Sequence, residues 1–147
     1  MLDYKKVDLH LHFDGSLPIE WAWETAQKEL GLSDKEAFIK SMQVDQDCHS
    51  LYDYLARFDM ALKLLQSENN LYEAMKALIF ELDKQGLLYA EIRFAPQQHI
   101  KQGLSQKQVV DTLCRAREDA QKKCEHLHVN FILCMMILGE ESLTHEL

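Results

Sequence analysis

The residues richest in possible chemistry fall in one run, Val7-Asp8-Leu9-His10-Leu11-His12-Phe13-Asp14-Gly15-Ser16. Polar and apolar residues alternate along it with a period of two, the spacing of a strand. On a strand Asp8, His10 and His12 project from one face, and Val7, Leu9, Leu11 and Phe13 from the other. Buried imidazoles and carboxylates are costly unless satisfied. A divalent metal satisfies them, because imidazoles two residues apart reach one ion at about 2.0–2.1 Å. His10 and His12 are the candidate metal ligands. Asp8 either orients a histidine or anchors the strand entrance. Asp14 follows the strand end beside Gly15, where the backbone can approach a ligand closely. His-X-His alone also fits a solvent-facing strand, so the surrounding elements must decide.

Those elements alternate. Residues 5–13 read as the first strand. Pro18 suits the first turn of a helix over Ile19–Leu30, with Gly31 as its stop. Ser33 and Glu36 resemble a capping box for a short helix over about 34–42. A polar loop leads to a helix from Leu51 to about Leu65. Leu51, Tyr54, Leu55, Phe58 and Leu62 form its apolar stripe. The next helix spans about 68–85 and stops at Gly86. A second strand covers Leu87–Ala95 and ends at Pro96. Ser105 caps a helix from Gln106 to about Glu125, with Val109, Val110, Leu113, Ala116 and Ala120 on one side. A third strand runs from His128 to about Ile137. Gly139 breaks it, and Ser142–Leu147 resembles the first turn of another helix. Strands alternating with helices indicate α/β architecture with parallel βαβ units. With apolar residues on the opposite face, the histidine face belongs inside a closed barrel. Three strands are few for such a domain, so residues 1–147 are expected to be the N-terminal portion of a larger one.

Composition narrows the partners. The 147 residues carry 16 Lys+Arg against 24 Asp+Glu, a net charge of -8. Such a surface repels nucleic acid and anionic membrane, so neither is an expected partner. No apolar run approaches the roughly 20 residues of a membrane helix. The start lacks a signal peptide's apolar region. Cys48, Cys114, Cys124 and Cys134 show no C-x-x-C spacing. Free thiols in a cytoplasmic protein are the expectation. Cys134, inside the apolar run 131–137, reads as a buried small hydrophobe. Glu91 and Arg93 share a strand face with Tyr89 and are expected to form a structural ion pair. His99 lies in the loop after the second strand, on the functional side of a barrel, yet most such histidines are structural. His126 and His128 read as surface residues.

Four segments in order carry a resemblance. Val7–Leu17, Leu51–Asp59, Tyr89–Pro96 and Ile132–Met136 resemble the adenosine deaminase family of metal-dependent amidohydrolases. The resemblance implies a (β/α)₈ TIM barrel with a multi-helix insertion between strands 1 and 2. It places zinc at the C-terminal ends of the strands, where barrel enzymes carry their sites. His10 and His12 match the family's first two zinc ligands, and His12 also borders substrate. Asp14 matches the carboxylate that hydrogen-bonds the ribose 5′-hydroxyl. Leu51, Tyr54, Leu55 and Phe58 match the apolar lid of the nucleoside pocket. The implied reaction is hydrolytic deamination of adenosine to inosine and ammonia. Phe13 departs from the usual Leu, and Ile137 from the frequent Arg. The family's third zinc histidine, catalytic glutamate, catalytic histidine and zinc aspartate lie on later strands. No catalytic residue carries over.

Three alternatives stand beside this reading. One is an adenine or N6-modified adenylate deaminase, although Glu or Asn tends to hold the Asp14 position there. Another is a different hydrolase with D-x-H-x-H on its first strand, such as a PHP-type phosphoesterase or TatD-like nuclease. Those usually lack the Asp-Gly-Ser-Leu continuation and the long helical excursion. The last is a non-enzymatic fragment that binds metal weakly or self-associates through open strand edges. Two histidines fall short of a catalytic zinc site, so residues 1–147 alone are expected to be inactive.

Overall fold

The computed structural model describes residues 6–43 and 56–136. β1 is Lys6–His12, and three helices follow, α1 (Ile19–Leu30), α2 (Lys35–Met42) and α3 (Phe58–Leu64). Then come α4 (Glu68–Lys84), β2 (Leu87–Phe94), a 3₁₀ turn (Pro96–His99), α5 (Gln106–Gln121) and β3 (His128–Leu133). The strands form one parallel sheet in the order β1-β2-β3. The expected alternation is therefore present. Gly139 and the expected final helical turn lie outside the described residues, as do Cys48, Leu51, Tyr54 and Leu55.

Local chemistry sets the helix ends. Gly31 takes φ +66°, the left-handed conformation that lets a helix end with little strain. Pro18 sits one residue earlier than expected. Its ψ of 125° is extended, so it precedes the first helical turn as the N-cap. α2 is capped by Asp34 rather than Ser33. The Asp34 carboxylate accepts the Ala37 N–H at 3.0 Å and meets the positive end of the helix. The Ser105–Gln108 capping box opens α5.

The core lies between the sheet and helices α4 and α5. Ala90, Ile92 and Phe94 of β2 are buried with Leu71, Met75, Leu78 and Ile79 of α4. Val109, Leu113, Ala116 and Ala120 of α5 join them, at the spacing of one helix face. Tyr72 on α4 donates to Asp119 on α5 at 2.9 Å, which tethers the two helices outside the core. The core continues into the first helices, where Trp23 of α1 meets Phe38 of α2 at a ring separation of 5.5 Å.

β1 departs from its simple pattern. Asp8 pairs with Ala90 and Leu11 with Ile92, so three steps along β1 match two along β2. Such an extra residue is a bulge, and it interrupts the alternation of faces. Asp8 therefore falls in register with core-facing Ala90, while His12 pairs with Arg93. The expected common face of Asp8, His10 and His12 is reduced to the two histidines. The expected apolar face is also only half covered. Phe13 is fully buried, but Val7 and Leu9 are 62% and 55% exposed. β1 is the sheet's edge, and among the described residues no helix covers those two side chains. At the other edge Cys134 is half-buried rather than enclosed, between exposed Leu133 and Met135. Both sheet edges thus present apolar side chains, the arrangement expected to favour self-association.

Candidate active site

His10 and His12 end β1 on the same side, with ring centroids 5.4 Å apart and planes tilted by 35°. Both are exposed. The Leu9–His10 peptide between Asp8 and His10 is held by side chains. Its N–H donates to Asp8 Oδ1 at 2.9 Å, and its carbonyl accepts from Arg93 Nη2 at 3.2 Å. Asp8 thus holds the backbone of the histidine segment.

Past the strand the chain turns, with Ser16 N–H donating to the Phe13 carbonyl at 3.3 Å. Asp14 and Gly15 in this turn line a cavity of about 240 Å³ with Leu17, Met42, Arg57 and Phe58. Burial raises the Asp14 carboxyl above its ordinary value, while His12 and the backbone N–H groups of Asp14 and Gly15 pull it back down. The carboxylate is thus poorly solvated in its ionised form.

Gly15 explains how Phe58 reaches this site. A Cβ at position 15 would lie 2.9 Å from Phe58 Cε1 and 3.6 Å from His12 Cβ. The glycine permits close approach, but to the Phe58 ring. Phe58 thereby lines the cavity beside Gly15. Arg57 and Gln43 also line the cavity. No spacing in the sequence singled them out, because each sits at the end of an element rather than within a periodic face. Arg57 is anchored by a hydrogen bond from Nη1 to the Lys40 carbonyl at 3.1 Å.

Two further expectations resolve differently. Arg93 forms no ion pair with Glu91. Glu91 instead accepts from the Tyr89 hydroxyl at 2.9 Å, and Arg93 reaches across to β1. The bulge supplies a carbonyl in reach, so the guanidinium needs no carboxylate there. Its Nε is buried without a partner among the described residues. His99 is a core residue. It is 1% exposed and donates Nδ1–H to the Leu65 carbonyl at 3.0 Å. Desolvation lowers its pKa to about 4, so it is neutral at neutral pH. His126 and His128 are exposed, as expected.

Zinc prefers imidazole and thiolate donors, and catalytic zinc takes at least three protein ligands. His10 and His12 fit it in kind. Among the described residues no group of three His, Cys, Asp or Glu side chains comes together. The donor set fits zinc by chemistry and by its place at a strand's C-terminal end, and it lacks a third member.

A parallel sheet with helical crossovers is the architecture of part of an α/β barrel. Solved structures share the fold. Adenine deaminase from Arthrobacter aurescens superposes with a TM-score of 0.72 at 22% identity, over 86% of this chain and 38% of that one. An amidohydrolase from Burkhoderia ambifaria, solved with bound Zn, gives 0.70 at 13% identity, over 88% and 35%. The family profile described as adenosine deaminase matches residues 5–147. The chain belongs to the adenosine deaminase family. It is 42% identical over 139 residues to the adenosine deaminase of Haemophilus ducreyi. That match covers 92% of this chain and 40% of the relative, so the chain spans about two-fifths of that enzyme. Among the described residues, no helix is long and apolar enough to cross a membrane.

Proposed function

We propose that the whole protein hydrolyses adenosine to inosine and ammonia with zinc, and that residues 1–147 supply one side of its site. The observation that carries this reading is the convergence of His12, Asp14 and Phe58 around Gly15, at the end of the strand that bears the imidazole pair. His10 and His12 would hold the metal. Zinc, when bound, supplies Lewis-acid activation of water for attack at the purine C6 position. Asp14 accepts the ribose 5′-hydroxyl, and its poor solvation makes that hydrogen bond worth forming. Phe58 lends an apolar wall that excludes bulk water. Leu51, Tyr54 and Leu55 complete that wall in this reading. The proton donor to the ring and the remaining metal ligands come from outside these residues. Unpaired cysteines at 114, 124 and 134 favour a cytoplasmic setting.

The test is turnover by the full-length protein on adenosine, adenine and N6-methyl-AMP, with zinc measured in the same samples. Adenosine is expected to be the preferred substrate. His12→Ala is expected to remove zinc and turnover together. Asp14→Ala is expected to raise KM for adenosine far more than for adenine, which lacks the ribose. Equal effects on the two substrates overturn the role of Asp14, and zinc-free turnover overturns the reading itself. The isolated 147-residue chain is expected to release no inosine above background.

A further inference from the structure

We infer that Arg93 and Asp8 are positioning residues that clamp one peptide unit of β1 and so set the direction and spacing of the imidazoles of His10 and His12. The Leu9–His10 peptide sits where the ladder between β1 and β2 loses register, between Asp8 and Leu11. At a bulge the backbone pairing that normally fixes side-chain direction is interrupted. Both polar groups of this peptide are held by side chains instead. Arg93 Nη2 donates to its carbonyl at 3.2 Å, and its N–H donates to Asp8 Oδ1 at 2.9 Å.

Arg93 also holds the other end of the His-X-His segment. Its backbone carbonyl accepts the Phe13 N–H at 2.9 Å, and Arg93 is the register partner of His12. One residue of β2 therefore fastens β1 immediately before His10 and immediately after His12. The staple lets the strand slip register and still present two imidazoles on one side, with centroids 5.4 Å apart. It also explains why Arg93 has no carboxylate partner among the described residues, and why Asp8 stands two residues before His10 without joining the imidazole pair. Partners of this kind behind metal ligands affect metal affinity without touching the ion.

The functional consequence rests on the zinc reading proposed above, whereas the clamp itself is independent of metal. Two measurements on the 147-residue chain separate them. The first is hydrogen exchange at single amides. In Asp8→Ala the His10 amide is expected to exchange faster, while the Ile92 amide in the buried ladder keeps its protection. Asp8→Asn retains the accepting oxygen and is expected to restore slow exchange. The second is Zn²⁺ affinity, read by competition with a chromophoric chelator below the melting temperature. Asp8→Ala and Arg93→Met are each expected to weaken it about tenfold. Because both act on one peptide, the double variant is expected to lose less than the product of the two. Asp8→Asn is expected to bind as the parent does.

Unchanged His10 exchange in Asp8→Ala overturns the clamp. Equal loss of protection at His10 and Ile92 also overturns it, because general loosening then suffices. Zinc affinity unchanged in both variants, while His10→Ala abolishes it, overturns the positioning role. If His10→Ala leaves zinc affinity intact, the zinc reading fails, and the exchange data alone decide the clamp.

Discussion

β2 and β1 are neighbouring strands of similar composition with opposite surroundings. In β2, Ala90, Ile92 and Phe94 disappear beneath α4 and α5, and Ile92 has no exposed surface. In β1, Val7 and Leu9 stay more than half exposed although their spacing is that of a buried face. The residues are equally apolar, and the difference is the face they occupy. Val7 is in register with Tyr89, whereas Ala90 and Ile92 point the other way, into the core beneath the helices. Burial belongs to the neighbours a strand acquires, and alternation reports only which face is prepared for burial. The stable half of this molecule and its candidate site therefore do not coincide. The helices that bury β2 make a core, and the strand that bears the histidines leans on that core by one edge.

The sharpest test of this contrast is a matched pair of truncations. Ile92→Ala empties a fully enclosed site and is expected to cost about 3 kcal/mol by denaturant unfolding. Leu9→Lys changes a side chain that is already half in water, and stability is expected to move by no more than about 0.5 kcal/mol. Its visible effect is expected in sedimentation. Losing the apolar edge shifts any self-associated chain towards monomer. Equal destabilisation by the two substitutions would break the comparison.

A test of nearly the same size uses pH. His99 is buried against Phe13, at a ring separation of 6.1 Å, and tied to Leu65. Its pKa falls from 6.5 to about 4 on folding because burial penalises the cation. Between those values the unfolded chain binds the proton and the folded chain does not. Its contribution is therefore intact above pH 6.5 and is lost as pH falls towards 4. Over the full window the loss amounts to about 3 kcal/mol. His99→Gln is expected to flatten the stability profile between pH 6.5 and 4 relative to the parent. Parallel profiles would mean that His99 charges without opening the core.

Much of this was legible from the chain. The helix Ile19–Leu30, its stop at Gly31 and the cap at Ser105 follow from residues that act within one turn of themselves. The parallel pairing followed from alternation of elements. His10, His12, Asp14 and Phe58 were singled out by spacing and resemblance, and the structure brings the last three together around Gly15. What escaped was set by residues far apart in sequence. The bulge in β1 depends on register with β2, roughly 80 residues later, and no alternation within Val7–Phe13 announces it. Arg93 was expected to seek a carboxylate two residues away because charge is visible in a sequence. The carbonyl it found, on Leu9, is not, since every residue has one. The same holds for Asp34, where a neighbouring Ser33 offered an equally plausible cap and geometry chose the carboxylate.

The smallest expected effect concerns Asp14, which belongs to the less stable side of the contrast. Burial holds its carboxyl above the ordinary value despite the opposing influence of His12 and two backbone N–H groups. A raised folded pKa means that the folded chain binds the proton more tightly than the unfolded chain does. Stability is then lost as pH rises through that window, and at neutral pH the fold carries an ionised group in a poorly hydrated site. Asp14→Asn keeps the shape and removes the charge. It is expected to melt slightly above the parent at neutral pH, with the difference shrinking as pH falls towards the ordinary aspartate range. A site that costs stability and is retained by function has this signature. If Asp14→Asn melts lower at neutral pH and the gap persists in acid, Asp14 is a structural capping residue of the turn after β1. The cavity beside Phe58 would then have lost its main polar determinant.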